Sequence, residues 1–187
     1  MAETLAQRVV NSFGLTKDQR TSALERGKNI VVTAGAGSGK TRTLVARYAS
    51  LLADGLSPRQ VVAITFTEKA AREMRSRLRG ALLDLVSKAD SVDERAYWTS
   101  LNNQMDSARI GTIHSLCAEI LRAHPAEAGV DPRFDVIDEG LAKTLKKQLV
   151  ETAVIGMVSQ TEYRPLFQAL GTQGVQDLLA TLLDKRL

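Results

Sequence analysis

The sequence predicts an α/β fold, an incomplete parallel sheet with flanking helices, followed by an all-helical segment. Three stretches carry that expectation. Ile30-Val31-Val32-Thr33 runs into a small-residue loop and then into a segment with Leu44, Tyr48 and Leu51/Leu52 at helical spacing. Val61-Val62-Ala63-Ile64-Thr65-Phe66 is a continuous apolar run of strand length. Arg109-Ile110-Gly111-Thr112-Ile113 leads straight into a third helical pattern. Runs of this kind suit parallel strands buried on both faces. Strands joined through helices place ligands at their carboxyl ends.

Composition narrows the function classes. A chain of 187 residues has room for about one domain with its own core. No apolar run approaches the ~20 residues of a membrane helix, and Met1-Ala2-Glu3-Thr4 opens no secretory signal, so no membrane role and a cytoplasmic location are expected. Cys117 is the single cysteine, which excludes an internal disulfide. With only His114 and His124 beside it, a tetrahedral zinc site is not expected without carboxylates. The net charge of +4 is compatible with nucleic-acid contact without arguing for it. More telling is the local cluster Lys69, Arg72, Arg75, Arg77 and Arg79, set against Glu68 and Glu73.

In chain order, residues 1–14 carry weak helical periodicity. Leu15 to Gly27 reads as a helix, with Thr16 and Gln19 at the spacing of a capping box. The Gln19 amide, donor and acceptor at once, can also pair with the N6/N7 edge of adenine. Ala34-Gly35-Ala36-Gly37-Ser38-Gly39-Lys40-Thr41 follows. Glycines let successive amides converge on a phosphate, and the helix N-terminus adds partial positive charge. Lys40 then reaches the β- and γ-phosphates and the Thr41 hydroxyl ligates Mg²⁺. The generic pattern places glycine at the first loop position, where this chain has Ala34.

Asp54-Gly55 closes that helix and Ser57-Pro58 turns the chain toward the second strand. Thr65, Phe66 and Thr67 stand at its carboxyl end, where an aromatic ring is placed to stack on an unpaired base. Met74, Leu78, Leu82 and Leu85 form one stripe of the next helix, and residues 91–106 a polar helix packed through Tyr97, Trp98 and Leu101. Thr112, His114 and Ser115 end the third strand, with hydroxyls and an imidazole able to bind phosphate oxygens. Leu116, Cys117, Ile120 and Leu121 are the expected buried stripe beyond it, before Pro125 halts the helix. Asp138 is expected as a helix N-cap rather than a metal carboxylate, because Leu141, Leu145 and Leu149 begin a helical register at once. Helix then continues, broken near Gly171-Thr172-Gln173-Gly174.

Taken together, Leu15–Gln19, Ala34–Thr41, Ile64–Met74 and Ile110–Cys117 resemble the first four motifs of the UvrD-like superfamily 1 DNA helicases, in order. Ala34 is usual in that family. Ile113 and the run Val130–Glu139 make the chain most similar to the AddA/RecB kind of helicase–nuclease subunit. The resemblance covers residues 13–150. It implies a P-loop NTPase, RecA-like ATP-binding domain over 1–138 and the start of a helical insertion over 139–187. It also implies that Gln19 reads adenine, that Arg42 stacks on the base, and that Lys40 and Thr41 hold the triphosphate of ATP and Mg²⁺. Thr65, Phe66, Thr67, Thr112, His114 and Ser115 would line a single-stranded DNA track. The implied partners are single-stranded DNA, the remainder of the helicase chain with its second RecA-like domain, and a nuclease subunit, in DNA repair or recombination.

Several parts of the family pattern are not found in these residues: the Walker B carboxylates, the second RecA-like domain, the arginine fingers and the nuclease residues. The expectation is therefore an N-terminal fragment. Alone it should not turn over ATP, since phosphoryl transfer needs a metal carboxylate, a positioned water and a partner arginine. Robust DNA-stimulated hydrolysis by residues 1–187 would refute that. Two other readings stay open at this stage, a non-motor ATP-binding regulatory module and a small P-loop phosphotransferase.

Overall fold

The computed structural model describes residues 3–186. The chain separates into two compact units, Met1–Pro132 and Arg133–Leu187. The first runs α1 (Leu5–Asn11), α2 (Lys17–Leu24), α3 (Lys40–Ala53), β1 (Val62–Thr65), α4 (Glu68–Ser87), α5 (Val92–Asn103), a 3₁₀ turn (Gln104–Ser107), β2 (Arg109–Thr112), α6 (Ile113–Ala123) and α7 (Pro125–Ala128). The second holds α8 (Glu139–Val158), a 3₁₀ turn (Thr161–Tyr163) and α9 (Arg164–Arg186), which breaks at Gly171. The described residues are thus mainly helical, with one small parallel sheet in the first unit.

β1 and β2 pair in parallel with Val62 beside Arg109 and Thr65 beside Thr112. That register brings both carboxyl ends level. The core of the first unit follows from helical spacing: Ala71, Met74, Leu78 and Leu82 of α4 are buried against Tyr48 and Leu52 of α3 and Trp98 of α5. Leu85 packs at the margin of this cluster, as Tyr97 does. Each fully buried Leu contributes about 1.5–3 kcal/mol. The Tyr48 hydroxyl donates to the Pro58 carbonyl at 3.1 Å, which fixes the approach to β1. Burial, opposed only by Arg75, pushes its pKa up to about 12.

The structure corrects several sequence expectations. Ile30–Thr33 forms no strand, and Val31 is 89% exposed. β-branched residues supply propensity, but a ladder needs a neighbour's amides, and among the described residues only β1 and β2 provide that for each other. β1 itself is buried on one face: Ala63 is inside, whereas Val62 and Ile64 are exposed. The expected stripe of α6 also faces outward, with Cys117, Ile120 and Leu121 exposed and Ala118 buried instead. The helix expected to reach Gly27 stops at Leu24, because Glu25 turns to an extended conformation.

In the second unit Leu141, Leu145 and Leu149 are exposed. The core there is Val150 and Val154 of α8 against Val175 of α9. Other expectations hold. Thr16 and Gln19 form the capping box. Asp138 caps α8 through the Leu141 amide at 2.9 Å.

Candidate functional site

The loop 34–39 delivers the chain into α3 through two left-handed glycines, Gly37 (φ 75°) and Gly39 (φ 84°). Gly39 is the N-cap of α3 and offers no side-chain cap, so no side chain takes the first-turn amides. A Cβ on Gly39 would also stand 3.2 Å from Gln19 Nε2. Ser38 Oγ donates to the Gly35 carbonyl at 2.8 Å and tightens the loop. Lys40 Nζ donates to the Ala34 carbonyl at 2.9 Å and to that of Gly35. The ammonium therefore lies inside the loop, where an anion would meet it. Thr41 and Arg42 are exposed at the same helix start. Glycine torsions, an uncapped helix N-terminus, an inward lysine and an adjacent hydroxyl fit a Mg²⁺–triphosphate group.

Gln19 joins this loop. Its Oε1 accepts from the Thr16 amide at 3.0 Å while its Nε2 donates to the Ser38 carbonyl at 2.8 Å. One amide thus serves the capping box and tethers α2 to the loop. Each end retains one hydrogen-bonding position for another partner.

The second cluster stands at the carboxyl ends of β1 and β2. Phe66 is fully exposed, at 104% of its reference area. Thr65 Oγ1 donates to the Thr67 carbonyl at 2.9 Å, and Thr67 Oγ1 caps α4 by accepting from the Ala70 amide at 3.1 Å. Thr112 and Ser115 cap α6 reciprocally: Thr112 Oγ1 accepts from the Ser115 amide and Ser115 Oγ from the Thr112 amide, both at 3.2 Å. His114 is exposed beside them.

Sequence reasoning missed the residue that joins the two halves. Glu68 Oε1 accepts from Thr112 Oγ1 at 3.0 Å and from Ser115 Oγ at 2.9 Å. The Ser115 and then the Thr112 hydrogen bond hold its carboxyl below the usual carboxylate range, with Arg72 and Arg75 adding to the effect. The available signal was an acid directly after Thr-Phe-Thr, facing two hydroxyls three residues apart.

The basic cluster is sorted by the same geometry. Arg75 donates to the Ile110 carbonyl at 2.8 Å, Arg77 pairs with Glu73, and Arg79 pairs with Asp106 at 2.5 Å. Lys69 and Arg72 are the exposed members without an ion pair to the described residues. Among the described residues no group of three or more His, Cys, Asp or Glu could hold a metal ion, and no helix is long and apolar enough to cross a membrane.

Comparison with known proteins matches the chain to one family. The UvrD/REP helicase N-terminal domain matches residues 15–181. An ATP-dependent helicase/nuclease subunit from Ligilactobacillus salivarius is 35% identical over 142 residues, covering 76% of this chain and 11% of that protein. The protein of the same name from Limosilactobacillus reuteri is 31% identical over 186 residues, covering 92% and 13%. That of Levilactobacillus brevis is 37% identical over 127 residues, covering 67% and 10%. The chain spans about a tenth of the length of these relatives.

Proposed function

This chain belongs to the UvrD/REP helicase family, and we propose that it is the ATP- and single-stranded-DNA-binding part of an ATP-dependent DNA helicase of the helicase–nuclease kind, acting in DNA repair or recombination. In this reading residues 1–138 are the first part of a RecA-like P-loop domain and 139–187 the start of a helical insertion. The full-length protein works in the cytoplasm, and its partners are the remainder of the helicase chain, with a second RecA-like domain, and a nuclease subunit.

The loop amides of Ala34 to Gly39 and Lys40 bind the triphosphate, Thr41 holds Mg²⁺, Gln19 reads the adenine edge and Arg42 stacks on the base. When bound, Mg²⁺ neutralises charge developing on the transferred phosphoryl group. Lys40 leaves the Ala34 and Gly35 carbonyls for the phosphates, exchanging neutral acceptors for charged ones. Thr65, Phe66, Thr67, Thr112, His114 and Ser115 line the single-strand track.

The observation that carries this reading is Phe66, an aromatic ring wholly in solvent at a strand's carboxyl end. Leaving it there forgoes the burial that a core position supplies, and a base stacked on it restores roughly 1–3 kcal/mol. A regulatory module or a small phosphotransferase has no use for that ring. The test is hydrolysis of ATP by the full-length protein with and without single-stranded DNA. Stimulation that Phe66→Ala reduces supports the reading, and hydrolysis indifferent to DNA favours a non-motor module.

A further inference from the structure

We propose that Glu68 is the positioning residue of the single-strand rim, a strut that holds the start of α6 to the start of α4. The rim's role rests on the reading above; the strut itself does not. Glu68 Oε1 takes hydrogen bonds from two hydroxyls 44 and 47 residues away in sequence, at 3.0 and 2.9 Å. Two further side-chain bonds end on the strand before that turn, Thr65 Oγ1 to the Gly111 carbonyl at 3.5 Å and Arg75 to the Ile110 carbonyl at 2.8 Å, whereas Glu68 bonds to Thr112 and Ser115 themselves. Thr65 lies level with Thr112 in the strand register, so Glu68 is the first helical residue able to reach across.

The chemistry excludes an ornamental role. Thr112 Oγ1 and Ser115 Oγ also approach each other at 2.7 Å, so three oxygens share two hydroxyl protons. With both protons turned to the carboxylate, neither hydroxyl is free to donate to a phosphate. A carboxylate there also opposes a polyanion. Glu68 therefore does not serve the rim by attraction, and it does not form an ion pair with Arg72 one turn on. It orders the 112–115 turn, so that Thr112 and Ser115 line the track as held side chains rather than as proton donors to phosphate. Gly111 belongs to the same device, since a Cβ there would stand 3.2 Å from Ser115 Cβ and 3.3 Å from its Oγ.

The test uses the full-length protein and a fluorescein-labelled oligothymidylate, read by anisotropy without nucleotide. Removing a negative charge from a DNA surface by itself tightens binding. The strut predicts the opposite sign: Glu68→Ala weakens binding about fivefold, while Glu68→Gln, whose amide oxygen still accepts from both hydroxyls, stays within about twofold of the parent. Hydrogen exchange over residues 110–117 accelerates in Glu68→Ala and, to a lesser degree, in Gly111→Ala. Unchanged or tighter binding by Glu68→Ala overturns the proposal, as does a Glu68→Gln protein as weak as Glu68→Ala. Unchanged exchange overturns the strut whatever happens to DNA. Phe66→Ala separates the two ideas: if it leaves affinity untouched the rim reading fails, and the exchange arm still decides Glu68.

Discussion

At residues 34–41 the backbone builds the site: two left-handed glycines and an uncapped helix start set the amides, and the side chains attach to what the main chain has already shaped. At the rim the order is reversed. Residues 65–68 and 112–115 lie where two strands, more than forty positions apart, pass into helices, and hydroxyl-to-carboxylate bonds tie them together. A site of the first kind is sensitive to torsion at single positions. One of the second kind is sensitive to the loss of a cross-link whose members do not themselves need to touch the ligand.

Four outcomes test that contrast, the largest first. Lys40→Ala should lower ATP turnover of the full-length protein by roughly 10²–10³-fold, measured by phosphate release, as expected for a lost phosphoryl clamp. A decrease below tenfold would move the triphosphate off this loop. Phe66→Ala should weaken binding to single-stranded DNA by about tenfold or more, in line with one lost stacking platform. Equal affinity in titration would remove the ring from the track.

Gly39→Ala should weaken nucleotide binding by calorimetry, because an L-residue at φ 84° costs roughly 1–2 kcal/mol and its Cβ meets Gln19. Undiminished affinity would show that the loop does not depend on that torsion. The smallest effect is acidification of the strut. The folded Glu68 carboxyl is held down by the Ser115 and Thr112 hydroxyls, so its stabilisation is complete above the unfolded glutamate pKa and drains as pH falls through the folded value. Carboxyl-carbon NMR should give it a midpoint below an ordinary glutamate, and an ordinary midpoint would mean that the hydroxyls do not hold it.

How much was legible in advance differs along the chain. The capping box of Thr16 and Gln19, the Asp138 cap and the Gly171 break could be read because each depends on residues within a few positions of one another. The buried stripe of α4 was legible too, since the amphipathic face met α3 and α5 in the same unit. Ile30–Thr33 and the outer face of α6 misled for one reason. Apolar periodicity states what a segment can bury, not whether a neighbour covers it.

By itself the sequence determined the glycine-rich turn into α3: left-handed torsions at Gly37 and Gly39 act over one turn of chain, where local sterics rule. It also determined the family, through motifs that can be read in order. Only the tertiary structure decided that Thr112 and Ser115 face Glu68, that Arg75 is spent on the Ile110 carbonyl, and that Gln19 reaches Ser38. Those contacts depend on the register of two strands and the docking of helices. Such non-local terms leave no periodic mark on the residues they join.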